Sequence, residues 1–187
     1  MAYVAAVIVG LLYGAVDQYL GSLTFLVHFG RWPSTASQMS APWLVLPFLL
    51  GCSQVRARRA ALLGLVVTEA ALIGYFAMTV SPLEGVPLGR LPTSAAAMLA
   101  TNAVYVLGGL ATGPLYGVLG QRWRVRRWWV SAVAIAAALC LEPSARAAVG
   151  QLLPPSGVWR VELLLGATVA TGFAASTLAR RRAGAAA

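Results

Sequence analysis

The sequence is short of charge above all else. Only 10% of its 187 residues are charged, against about 25% in ordinary soluble domains. It has no lysine, one histidine, and five carboxylates: Asp17, Glu69, Glu84, Glu142 and Glu162. A soluble fold made of these residues would lack the charge to cover its surface. Soluble enzyme domains, nucleic-acid binders and disulfide-knit secreted modules are therefore excluded. A single histidine cannot build a histidine-rich metal or haem site, and the HExxH, GxSxG, P-loop and Rossmann patterns are all missing. Cys52 and Cys140 lack metal-ligand spacing and are expected toward opposite faces of the fold, so no bridge between them is expected. No metal and no cofactor is expected.

What the chain does have is apolar length. Hydrophobic residues make up 59% of it, and its mean hydropathy is +0.77. Six stretches suit helices able to cross a hydrocarbon core of roughly 30 Å: about Tyr3 to Val27, Ser37 to Val55, Ala60 to Ser81, Ser94 to Leu119, Trp128 to Ala148 and Gly157 to Ala179. The first has no basic n-region and is too long for a signal sequence, so it is read as a retained span. All 14 basic residues are arginines, and they sort by side. Arg56, Arg58, Arg59, Arg122, Arg124, Arg126, Arg127, Arg180, Arg181 and Arg182 follow the second, fourth and sixth stretches, whereas Arg31, Arg90, Arg146 and Arg160 fall on the other side. The net charge of +9 is thus a topology signal rather than a nucleic-acid footprint. The expectation is an all-α integral bundle of six transmembrane helices in the cell membrane, with both termini cytoplasmic. It forms one domain over residues 1–187, with a flexible tail over 180–187. Trp123, Trp128 and Trp129 suit an inner interfacial belt, and Trp32, Trp43 and Trp159 an outer one.

Polar groups inside such spans carry the functional information, because a carboxyl in hydrocarbon costs several kcal/mol unless it is paired or solvated. Asp17 lies about 14 residues into the first stretch, beyond the midplane on the outer side at about 1.5 Å of rise per residue. Glu69 lies near the middle of the third. Gly10, Gly14, Asp17, Gly21, Thr24 and His28 recur at three- and four-residue intervals and form one small polar face with Tyr13 beside it. Met98, Asn102, Tyr105, Gly109, Thr112 and Tyr116 form a second such stripe. A cavity in the outer half is expected, lined by Asp17, Glu69, Asn102 and Tyr105 with the rings of Tyr13, Trp43, Phe76 and Trp159. The GxxxG patterns at Gly10/Gly14 and Gly109/Gly113/Gly117 are read as close helix packing. Glu142 and Arg146, four residues apart, are read as a neutralising pair.

A carboxyl shut in an apolar, aromatic cavity is disfavoured as an anion and can act as a proton donor. Aromatic rings can stabilise a carbocation by about 0.5–2 kcal/mol per contact. Such a site suits protonation of an alkene or epoxide. Glu69, with the more apolar neighbours, is the expected donor, and Asp17 either orients it or shares its proton. The DDxxD magnesium motif for diphosphate ionisation and the DxDD acid of soluble cyclases are both absent.

The segments Gly14-Ala15-Val16-Asp17-Gln18-Tyr19-Leu20 and Thr68-Glu69-Ala70 resemble the small bacterial integral-membrane terpene cyclases of indole-terpenoid and drimentine-type pathways. Gly74-Tyr75-Phe76 and Gly113-Pro114-Leu115-Tyr116-Gly117, with Gln121-Arg122-Trp123, also resemble an uncharacterised actinobacterial family of polytopic membrane proteins. The first resemblance implies metal-free, protonation-initiated cyclisation of a hydrophobic prenylated small molecule, with Glu69 and Asp17 in the acid role. Two other readings stand beside it: a small-solute or proton-coupled transporter, and a non-catalytic membrane subunit.

Overall fold

The computed structural model describes residues 1–23, 32–85, 91–148, 150 and 156–185. His28, Thr24, Arg31 and Arg90 lie outside these residues. The described residues form eight α-helices: α1 (Ala2–Ser22), α2 (Trp32–Ala36), α3 (Ala41–Cys52), α4 (Ala57–Thr79), α5 (Leu91–Thr101), α6 (Ala103–Arg126), α7 (Trp129–Ala148) and α8 (Ser156–Ala185). Within α1, α4, α6, α7 and α8 lie five segments long and apolar enough to cross a membrane. This is the build of a membrane protein. The second apolar stretch differs from expectation. Its helix, α3, has only 12 residues, roughly 18 Å at 1.5 Å per residue, and begins at Ala41 with Pro42 in its first turn, where the missing N–H is tolerated. The fourth stretch divides at Asn102, whose side-chain amide donates to the Met98 carbonyl at 2.9 Å. At the C-terminus α8 continues to Ala185, through most of the segment expected to form a tail.

Close packing around α4 sets the arrangement, and glycine makes it possible. Gly10 and Gly14 of α1 sit against Val67 and Ala71 of α4, so these two helices run parallel. Gly64 of α4 meets Gly113 and Gly117 of α6, and Thr68 meets Gly109 and Gly113, so α6 runs antiparallel to α4. An added Cβ at Gly14 would overlap the Ala71 carbonyl, and one at Gly117 the Ala60 carbonyl. Backbones this close are the use expected of small residues in membrane helices. Phe48, Leu119, Trp123, Ile135 and Leu139 then close the core between α3, α6 and α7.

The arginines that follow α3 and those that end α6 share one end of the bundle. Arg124 Nη1 donates to the carbonyls of Cys52 at 3.0 Å and Ser53 at 2.6 Å, capping the C-terminus of α3. Gln121 Nε2 donates to Val55 O at 2.7 Å. At the opposite end Glu142 of α7 accepts the backbone N–H of Ser40 at 2.6 Å and of Ala41 at 2.7 Å, which fixes the start of α3. A carboxylate there satisfies orphan donors of a helix N-terminus and complements its dipole.

Candidate functional site: a chamber at the arginine-poor end

Helices α1, α3, α4, α6 and α7 and the α2–α3 linker line a half-open cavity of about 480 Å³. Its lining residues on α4, Thr68, Leu72, Tyr75 and Phe76, follow one helix face at i, i+4, i+7 and i+8. From Thr68 to Phe76 is about 12 Å of helix rise, so the cavity reaches from the arginine-poor end toward the middle of the bundle. Ser37, Gln38, Ser40 and Arg146 form its polar rim, and Gly108, Gly109 and Thr112 of α6 lie at its deeper level.

Asp17 projects into this chamber and is 8% exposed. The indole of Trp43 lies beside it. Its Oδ2 is buried without a partner among the described residues. Around it runs a ladder of edge-to-face rings: Tyr13 to Trp43 at 5.4 Å, Trp43 to Tyr75 at 6.0 Å, and Tyr75 to Phe76 at 5.9 Å. Edge-to-face packing fixes ring positions. The Tyr75 hydroxyl lies within electrostatic reach of Asp17 and Tyr105.

Of the residues expected at the site, Asp17, Trp43, Phe76, Asn102 and Tyr105 line the cavity together. Tyr13 stands behind Trp43 rather than in the lining. Glu69 is not in the lining either. Its side chain turns toward α6, where Oε1 is buried against Gly109 with no partner among the described residues. The face arithmetic gave it the right neighbour helix, but the residue is only half-buried and its carboxyl meets the Gly109 backbone instead of the cavity. Trp159 belongs elsewhere: it is buried on α8 with the Arg146 guanidinium 5.6 Å from its ring centroid.

Sequence reasoning missed the rim. Arg146 pairs with Glu142, as the four-residue spacing predicts, with Nε to Oε1 at 2.8 Å. It also donates from Nη2 to the Gln38 carbonyl and to Ser40 Oγ, the latter at 3.2 Å, and it lines the chamber. No periodicity reports such a contact, because its partners sit more than 100 residues away in an irregular linker. The Thr68, Leu72, Tyr75 stripe was present in the sequence, but an apolar stripe reads equally as core.

Fold and chamber together define a class: all-helical among the described residues, with the build of a membrane protein and an aromatic, acid-bearing, half-open cavity. No protein-family model, curated protein or solved structure matches the chain.

Proposed function

We propose that the protein is a membrane-bound, metal-independent terpene cyclase acting on a hydrophobic prenylated molecule. The observation that carries this reading is Asp17: a nearly buried carboxyl facing a chamber walled by Trp43, Tyr75, Phe76 and Tyr105. The neutral carboxyl of Asp17 gives its proton to a terminal alkene carbon or to an epoxide oxygen. The resulting cation is held against the rings while an internal alkene closes onto it. Loss of a C–H proton to the carboxylate restores the acid, so the product is an isomer of the substrate. Glu69, on the neighbouring helix, is positioned to influence the proton inventory of the site without touching the ligand. The test is direct. Membranes containing the protein, incubated with linear prenylated indoles or diketopiperazines, should yield cyclised products of unchanged mass and new retention time. No isomeric product from any such substrate would end the cyclase reading and favour a carrier or a non-catalytic subunit.

We also infer six crossings of the cell membrane, with α3 as the short one and both termini cytoplasmic. The arginine clusters at one end support it by the positive-inside bias. In a cysteine-free background, Leu83→Cys should react with an impermeant maleimide in intact cells, and Arg126→Cys only after lysis. The reverse pattern would invert the topology.

A further inference from the structure

The cavity has two chemically different ends, and the rim is unusual in being built around a fixed arginine. Arg146 is held on three sides, by the Glu142 carboxylate, by Gln38 O with Ser40 Oγ, and by the face of Trp159. A guanidinium carries five N–H donors. Nε and Nη2 are engaged in these bonds, and the side chain lines the cavity, where its remaining donors are within a ligand's reach. Because the side chain is already immobilised, a ligand that bonds to it does not have to order it, which favours binding.

Charge balance decides which head group suits this edge. Glu142 neutralises Arg146. Behind Glu142 lies Glu162 of α8, which is fully buried with its carboxyl against that of Glu142. Deeper in the chamber stands Asp17. The lining therefore offers no surplus positive charge. A phosphate or diphosphate would add negative charge to a rim where Glu142 already neutralises the guanidinium, and an ammonium would face that guanidinium. A neutral acceptor meets neither penalty.

We propose that Arg146, with Ser40, forms a head-group subsite that takes the carbonyl of an uncharged, amide- or ester-headed amphiphile, whose hydrocarbon part descends past Trp43 and Tyr75. This names the ligand class of the same chamber, and it rests on the cavity rather than on cyclisation, so a carrier of such molecules would need the same subsite.

Binding is tested without turnover. The full-length protein in lipid nanodiscs is photolabelled with an N-methyl dodecanamide bearing a mid-chain diazirine. The labelled peptides are then mapped by mass spectrometry. Label is expected on α3 and α4 around Trp43 and Tyr75. At equal membrane mole fraction, unlabelled N-methyl dodecanamide should compete at least tenfold better than dodecyl phosphate, dodecyltrimethylammonium or dodecane. Arg146→Met should erase that preference. Equal competition by dodecane would show that the head is not read, and better competition by dodecyl phosphate would show an anion site; either overturns the proposal. Unchanged preference in a folded Arg146→Met protein also overturns it. The wild-type competition series stands if that variant does not fold. Amide preference without isomeric product would separate failure of the cyclase reading from failure of this one.

Discussion

Asp17→Asn is expected to stop cyclisation while leaving the helices packed. General acids are worth about 10²–10⁴-fold in rate, and here the proton starts the reaction, so the loss should reach the upper part of that range. The amide keeps the shape and the place beside the Trp43 ring. It cannot protonate carbon. The variant should therefore elute as the wild type does in size exclusion, bind a linear substrate comparably, and release no isomer. Glu69→Gln is expected to lose less, because its carboxyl meets Gly109 beside the chamber rather than the ligand. Rates for the two single variants and the double variant, measured on the same prenylated substrate, check this. A near-normal rate for Asp17→Asn would remove Asp17 as the acid. If Glu69→Gln proved the more damaging of the two, the proton would have to be assigned to Glu69 and passed around Gly109.

Gly14→Val and Gly117→Val should each prevent recovery of folded protein. At both positions the new Cβ would overlap a backbone carbonyl of the facing helix, Ala71 and Ala60 respectively, and neither carbonyl can rotate away without the helix moving. Overpacking costs about 1–3 kcal/mol when side chains can adjust. Here backbones must separate, so the loss should lie at or above the top of that range. Gly172→Val is the control, since nothing lies within 4 Å of its Cβ position. Thermal unfolding in detergent, followed by size exclusion, checks the contrast. A Gly14→Val protein as stable as Gly172→Val would mean that α1 does not pack on α4 as described.

Much of this architecture is legible in the sequence for a physical reason: lipid leaves the backbone few choices, so apolar length gives helices and helical spacing gives faces. Asp17, Asn102, Tyr105, Trp43 and Phe76 were placed together by that logic, and they share the chamber. The logic weakens where chain segments meet without periodicity. The second apolar stretch reads as one span, yet its first residues are drawn into a linker because Glu142, about 100 residues later, takes the N–H groups of Ser40 and Ala41. Glu69 fails for a related reason. Its helical neighbours are local knowledge, whereas the position of Gly109 depends on how α6 docks. Trp159 was grouped with the outer rings by depth, and depth does not distinguish one side of a bundle from the other.

The packing also implies an order of events during synthesis. Helices α1, α3, α4 and α6 pack mainly on one another, and α8 packs mainly on α7. Chains acquire tertiary structure from the N-terminus while they are still being made. The residues of the wall, Asp17, Trp43, Tyr75 and Tyr105, are all made before α7 and α8. Arg146 and its tether Glu142 come afterward, with Glu162 later still. A chain cut short before α7 would therefore keep the acid and the rings but lack both the rim arginine and the carboxylate that holds the start of α3.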